Sequence, residues 1–333
     1  MEYVLLIVGF VLLIKGADFF VDGSSAIARL FKVPSIIIGL TVVALGTSLP
    51  EAAVSISASI AGSNSLAISN VLGSNFFNLL IVLGMSALLC PVKAEPVAYK
   101  REIPLTIGAT LLLGILLLVN TAFPAGSEGL GVFERLFASE TTFTLSRIGG
   151  AILLVVFITY LVIQVLSALA ARKRGEVKDE EDQKKLPLWA SLLFIVGGAA
   201  AIVIGGDFVV DSATKIAKTF GMSEELIGLT IVAFGTSLPE LVTSIVAANK
   251  GESDLALGNV VGSNMFNIVF ILGSSAVFSP ITVAISSIID IVILTVVSAI
   301  VMVFAATKKK VSRVEGATML AIYAGYFVYI LLR

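Results

Sequence analysis

The residues of this 333-residue chain with the clearest capacity for chemistry are two glutamates, Glu51 and Glu240, each at the end of a copy of the sequence GTSLPE. Each copy lies in the middle of a long apolar stretch, with no lysine or arginine close by to pair with the carboxylate. A charge at the centre of a bilayer-spanning helix costs roughly 3 kcal/mol on insertion scales. Two such costs in the same sequence context indicate that a compensating partner binds there.

The prolines beside the glutamates indicate what that partner is. Pro50 and Pro239 have no backbone N–H, so the carbonyls of Gly46 and Gly235, four residues earlier, lose their helical hydrogen-bond donors. Free carbonyls, threonine and serine hydroxyls and a carboxylate then lie within one helical turn. Such hard oxygen ligands suit sodium or calcium rather than a transition metal. The sequence predicts half of a cation cage in each copy; the structural alternative is a kinked helix with a hydrogen-bonded glutamate.

A second repeated element follows each glutamate, NVLGSNFFN at 70–78 and NVVGSNMFN at 259–267. The last residue of each copy, Asn78 or Asn267, falls near the centre of an apolar stretch. The serines four residues earlier, on the same helical face, are Ser74 and Ser263. These side chains could face the glutamates, or they could join neighbouring transmembrane helices by hydrogen bonds. Their matching register in the two copies favours the first interpretation.

The elements that must position these residues form two copies of one unit. With an offset of 189 residues, 39–84 aligns with 228–273 without a gap, and 26 of the 46 positions are identical. The chain is 57% hydrophobic and only 14% charged, whereas an ordinary globular protein has roughly 25% charged residues. A spanning helix needs roughly 20 apolar residues, and apolar stretches of about this length occur five times in each half of the chain. We therefore predict an all-α membrane protein with ten transmembrane helices.

Five spans in each copy make the second copy enter the membrane from the opposite side. We therefore predict two inverted five-helix repeats, 1–170 and 187–333, joined by a charged linker at 171–186. Helices 2, 3, 7 and 8 are predicted to be broken at the central site. A cytoplasmic linker puts 16 of the 22 lysines and arginines on the cytoplasmic side, in agreement with the positive-inside rule. This multi-pass arrangement in the cell membrane places both termini outside.

The composition also excludes several functions. A net charge of −1 provides no basic surface for nucleic acid. One cysteine, Cys90, and no histidine leave nothing from which to build a disulfide, zinc, haem or iron–sulfur site, so we expect no cofactor. We also expect no obligate protein partner. The first apolar run is too long for a signal peptide and is expected to remain as the first helix.

The paired GTSLPE sequences, each followed by a GSN-x-F-N element, resemble the alpha-repeats of the sodium/calcium exchangers in the calcium/cation antiporter superfamily, and the chain is similar to its prokaryotic members. The resemblance covers the whole chain. It implies an antiporter, not an enzyme, that exchanges sodium for calcium by alternating access, with helices 1 and 6 as a sliding gate. Because some potassium-dependent relatives carry aspartate at the position of Asn267, the resemblance argues against potassium co-transport.

The same resemblance implies the ligands of the transported ions. Glu51 and Glu240 would bind calcium with help from the Thr47 and Thr236 carbonyls, and the same glutamates would serve sodium. The remaining implied sodium ligands and central residues are Ser48, Ser237, Ser74, Ser263, the carbonyls of Ala44 and Ala233, the Thr47 and Thr236 hydroxyls, Asn78 and Asn267.

Four aspartates in helices 1 and 6 form another matched set: Asp18, Asp22, Asp207 and Asp211. They are predicted to be interfacial or packing residues, with cation attraction or latching of the gate as the alternative, and Lys15 is placed to pair with Asp18. Alternative functions are a proton/calcium exchanger, a cation channel and, least favoured, an intramembrane hydrolase. The absence of histidine argues against the first, and the inverted repeat argues against a channel.

Overall fold

The structure, a computed structural model, describes residues 1–138, 140–175, 186–222 and 233–332. Nearly all of the long elements are helices. In chain order they are α1 (Glu2–Phe31), α2 (Ser35–Thr47), α3 (Leu49–Ile60), α4 (Asn64–Phe77, Asn78–Val82 and Leu83–Leu89 in succession), α5 (Ala98–Val119), α6 (Val132–Leu136), α7 (Arg147–Arg174), α8 (Leu188–Thr219), α9 (Ala233–Gly235), α10 (Leu238–Asn249), α11 (Ser253–Phe278), α12 (Ile285–Lys308) and α13 (Arg313–Leu332).

Eight helices in the described ranges are long and apolar enough to cross a membrane, and the bent pair α2–α3 adds a ninth candidate span. The predicted seventh span, 223–249, begins in residues 223–232, which lie outside the described part of the chain. Its described portion is α9 and α10. α7 runs to Arg174, four residues into the segment predicted as the linker, and most of that linker, 176–185, also falls outside the described residues.

The predicted break in helix 2 is present. α2 and α3 meet at 52° across Ser48, whose φ and ψ of −86° and 9° are not helical. Ser237 has nearly the same angles, −95° and 6°, between α9 and α10. In both places the following proline stands in the first turn of the new helix, where its missing N–H has no helical partner to lose.

The predicted breaks in helices 3 and 8 are wrong in form. Both α4 and α11 are continuous, and each contains a wide π-helical turn, at Asn78–Val82 in α4 and at Phe266–Ile271 in α11. Neither segment contains a proline, so the chain accommodates the irregularity as a π-bulge, a feature frequent at functional sites. Of the eight spanning helices found in the described ranges, α4 and α11 are the most enclosed, 78% and 94% buried.

α1 and α8 pack against each other in antiparallel directions with their backbones in close approach. A Cβ atom on Gly16 would lie 2.9 Å from the carbonyl oxygen of Gly198, and one on Gly205 would lie 2.8 Å from that of Gly9. Small residues permit such contact between transmembrane helices. Much of the outer surface of this pair is apolar and exposed, as at Val11 and Val196, so the pair lies at the edge of the bundle.

Short strands connect the two halves at each end of the bundle. They are β1 (Val92–Lys93), β2 (Thr121–Ala122), β3 (Thr142–Leu145), β4 (Ile281–Ala284) and β5 (Lys310–Val311). β1 pairs antiparallel with β5, which defines the β1–β5 end, and β3 pairs antiparallel with both β2 and β4, which defines the β2–β4 end. β1 and β4, one in each half, occupy matching positions 189 residues apart.

Candidate ion-binding site

The two glutamates singled out from the sequence lie in the interior of the protein. Glu51 and Glu240 each occupy the first turn after a helix break, and both are 0% exposed. Among the described residues, no lysine or arginine forms an ion pair with either carboxylate; the ion pairs observed involve other acids. Two buried acids without basic partners need another source of compensating charge.

The two halves contact each other crosswise at these acids. The Ser48 hydroxyl donates to a carboxylate oxygen of Glu240 at 2.7 Å, and the Ser237 hydroxyl donates to one of Glu51 at 2.9 Å. Ser237 also lies 3.2 Å from the hydroxyl of Ser74. The serine at each helix break therefore binds the carboxylate of the other half. The structure brings both GTSLPE sequences to one place.

Several buried polar atoms of the predicted ligands have no hydrogen-bond partner among the residues that the structure describes. They are the second carboxylate oxygens of Glu51 and Glu240, both side-chain amide atoms of Asn78, the Asn267 amide oxygen, and the hydroxyls of Ser263 and Thr236. Each buried polar atom left unpaired costs about 1–3 kcal/mol. All but one of these atoms are oxygens, and oxygens are the ligands that sodium and calcium take. The donor set fits a cation.

The remaining predicted ligands, on the helices before the two breaks, differ in whether they are already hydrogen-bonded. The carbonyl of Ala44 accepts from the Ser48 N–H at 3.1 Å. The Thr47 hydroxyl donates to Asn259 at 3.0 Å, so it contributes to the scaffold, whereas the Thr236 hydroxyl has no partner within the described ranges. Ala233 is the first residue of α9, directly after the undescribed segment 223–232.

Two pairs of asparagines that the sequence analysis did not single out hold the site together. The Asn70 amide donates to Ser55 at 2.8 Å and to the Glu51 carbonyl at 3.4 Å. Asn259, the counterpart of Asn70 in the second half, repeats the pattern: its amide donates to Ser244 at 3.0 Å and to the Glu240 carbonyl at 3.5 Å. Each asparagine thus supports the turn that carries a glutamate.

Asn75 and Asn264 form the second pair, and they join α4 to α11. The Asn264 amide donates to the Asn75 carbonyl at 3.2 Å, and the Asn75 amide donates to the Asn264 carbonyl at 3.4 Å. Asn267 adds a bond to the Asn75 side chain at 3.1 Å. All of these asparagines are identical between the halves at the offset of 189, so the duplication itself was the signal that could have found them.

The four aspartates are on α1 and α8, not on the helices that carry the buried carboxylates. Asp18 and Asp22 on α1 both contact Lys250, and the predicted contact of Asp18 with Lys15 is present at 3.4 Å. Asp207 and Asp211 line a cavity of about 460 Å³, together with Pro50, Thr236 and Pro239 from the two helix breaks. The matched aspartates therefore face different surroundings in the two halves.

Comparison with known proteins identifies the family of the chain. Residues 1–166 and 190–332 match the family described as sodium/calcium exchanger protein. The chain belongs to this family. The resemblance stated from the sequence is thereby confirmed, and the protein is a multi-pass membrane antiporter for sodium and calcium, not an enzyme. Exchangers of this family carry their ions without a cofactor, as expected from the composition.

Individual relatives cover nearly the whole chain. Sodium/calcium exchanger MaX1 of Methanosarcina acetivorans is 34% identical over 98% of this chain and 97% of its own. Inner membrane protein YrbG of Escherichia coli is 40% identical over 83% of this chain and 79% of its own. A structure of the sodium-calcium exchanger NCX_Mj, soaked with zero Na+ and Ca2+, has a TM-score of 0.80 and 30% identity, over 99% of this chain and 98% of that one.

Proposed function

We propose that the antiporter binds sodium and calcium by turns in one pocket built from Glu51 and Glu240. The observation that carries this proposal is the crosswise pair of serine–carboxylate hydrogen bonds, 2.7 and 2.9 Å long, which connects the two buried acids through the helix breaks. The further proposed ligands are Ser74, Ser263, Asn78, Asn267, the Ser48 and Ser237 hydroxyls, the Thr47 and Thr236 oxygens, and the carbonyls of Ala44 and Ala233.

Charge balance explains why the two ions would compete. Two carboxylates give the pocket a charge of −2, which one calcium ion neutralises and which sodium ions neutralise as an alternative load. Either load reduces the cost of enclosing the carboxylates in an interior of low dielectric constant, whereas the empty pocket retains the whole charge. A pocket that is stable only when loaded can change its accessible side mainly with an ion bound. Exchange is then favoured over leak.

Alternating access would come from movement of α1 and α8 against the remaining helices. Their close glycine contacts join these two helices to each other, and they lie at the edge of the bundle, so they can slide as a pair.

We propose that the full chain has ten spans in two inverted repeats, 1–170 and 187–333, connected by the linker 171–186. In the cell membrane the linker and the β1–β5 end would face the cytoplasm, and both termini would lie outside. The chain would act without an obligate protein partner.

The test is calcium uptake into proteoliposomes with a sodium gradient imposed. Glu51→Gln and Glu240→Gln should each abolish sodium-driven uptake, because the amide keeps the shape of the side chain and removes the charge. Glu315→Gln is the matched control, since Glu315 accepts hydrogen bonds from Ser312 at the start of α13 and should retain full exchange. Full exchange in either site variant would contradict the proposal, as would uptake driven by a proton gradient in sodium-free buffer.

A further inference from the structure

Lys250 connects the helix that carries Glu240 to the middle of α1. It directly follows α10, and its ammonium group lies 2.7 Å from a carboxylate oxygen of Asp22 and 3.2 Å from one of Asp18. It also donates to the backbone carbonyl of Asp18 at 3.0 Å. One side chain therefore reaches three oxygens on two successive turns of α1.

A second ion pair joins the same two parts of the molecule. Arg29, in the last turn of α1, lies 3.4 Å from Glu252, two residues after Lys250. Lys15 also contacts Asp18, but it belongs to α1 itself and ties that helix to nothing else. The β1–β5 end of the bundle thus has two charged links between α1 and the turn that follows α10.

The duplication shows that this connection belongs to one half alone. Asp18 and Asp22 correspond to Asp207 and Asp211 at the offset of 189, but Lys250 corresponds to Ala61. In the part of the chain that the structure describes, neither Asp207 nor Asp211 has an ion-pair partner, and both line the cavity of about 460 Å³ beside the helix breaks. Both halves therefore have the two aspartates, but only Asp18 and Asp22 are paired with a lysine, Lys250, in the described part of the chain.

We propose that Lys250 is a positioning residue for the exchange reaction, which holds α1 against α10 and so keeps the ion pocket closed toward the β1–β5 end. This inference rests on the proposed function, because it requires α1 and α8 to move during exchange. A latch on one side and an open acidic cavity on the other give the two faces of the exchanger unequal access to the pocket. Lys250 therefore determines how well calcium is taken up from the β1–β5 face.

The experiment measures the calcium concentration for half-maximal exchange separately at each face, in proteoliposomes in which the protein has one orientation. Lys250→Met removes the charge and keeps the length of the side chain. Opening toward the β1–β5 end should become easier, so the half-maximal concentration at that face should fall about two- to fivefold, the range expected from the coupling of partly exposed ion pairs. At the other face it should rise or stay constant. Lys250→Arg should restore the wild-type ratio.

Lys215→Met is the matched control. Lys215 lies 3.4 Å from Glu2 and links α8 to α1, the two helices proposed to move together, so its loss should leave the ratio of the two faces unchanged. If Lys250→Met is poorly folded, the exchanged pair Asp22→Lys with Lys250→Asp replaces it. The ratio compared is the half-maximal calcium concentration at the β1–β5 face divided by that at the other face. The exchanged pair should keep the wild-type ratio, whereas Asp22→Lys alone should lower it.

An unchanged ratio in Lys250→Met, or an equal change at both faces, would overturn the role of Lys250 while leaving the exchange site intact. Failure of the proposed function gives a different result, since Glu51→Gln or Glu240→Gln would then still exchange the two ions. The two failures are distinguishable because one changes the ratio between faces and the other concerns whether exchange requires the carboxylates at all.

Discussion

The two halves of the molecule have the same residues at the proposed ion pocket but not the same contacts. In the described part of the chain, Thr47 is bonded to Asn259, whereas its counterpart Thr236 has no hydrogen-bond partner. Asn267 is bonded to Asn75, whereas neither amide atom of its counterpart Asn78 has a partner among the described residues. Equal sequences in unequal surroundings are what the proposed inverted repeats would require, because exchanging the surroundings of the two halves would produce the state open to the other side. The crosswise serines, by contrast, are bonded alike.

The largest effect should come from those shared contacts. Ser48→Ala and Ser237→Ala each remove a hydrogen bond to a buried carboxylate, and a bond to a charged group contributes about 1.5–3 kcal/mol. Calcium affinity, measured by titration calorimetry of the purified protein, should fall about 10- to 100-fold in both variants. A large loss in one variant with none in the other would show that the halves do not share the pocket equally.

An intermediate effect, on stability, is expected from substituting one of two neighbouring glycines of α8 but not the other. A Cβ on Gly198 would lie 2.7 Å from the Gly16 carbonyl oxygen and 2.6 Å from the Phe20 nitrogen, whereas one on Gly197 would meet nothing within 4 Å. Gly198→Ala should therefore lower the free energy of unfolding by about 1–3 kcal/mol through overpacking. Gly197→Ala should not lower it. Thermal unfolding in detergent checks both, and equal melting temperatures would disprove the close packing of α1 on α8.

The smallest effect concerns the asparagines that differ between the halves. Asn267→Leu removes the bond to Asn75 and leaves a buried oxygen unpaired, so the free energy of unfolding without ions should fall by about 1 kcal/mol or slightly more. Asn78→Leu removes two atoms that have no partner and should change stability little or increase it. Chemical denaturation in ion-free buffer measures this difference. Equal destabilisation would mean that the halves are equivalent at this position.

The sequence was informative where one residue type determines local geometry. Pro50 and Pro239 predicted the helix breaks, because proline cannot donate the backbone hydrogen bond of a helix in any tertiary surroundings. The repeated Glu51 and Glu240 predicted a shared buried site, because an unpaired charge in an apolar segment needs a partner. The contact of Lys15 with Asp18 followed from helical periodicity alone.

Features that depend on tertiary packing could not be predicted in the same way. α4 and α11 continue through π-turns where breaks were expected, and the bonds that join the two helices connect Asn75 with Asn264, 189 residues away. The use of the Thr47 hydroxyl as scaffold depends on Asn259, 212 residues away. Lys250 contacts Asp22, 228 residues away, and no local sequence pattern predicts that pairing.

The central claim is that Glu51 and Glu240 form one pocket that sodium and calcium occupy by turns. It is tested most directly by calorimetric titration of calcium into the purified protein at a series of fixed sodium concentrations, for the native chain and for Glu51→Gln and Glu240→Gln. The apparent calcium dissociation constant should rise steadily with sodium in the native chain, and each variant should lose high-affinity calcium binding. Calcium binding that is independent of sodium, or that survives intact in either variant, would contradict the account.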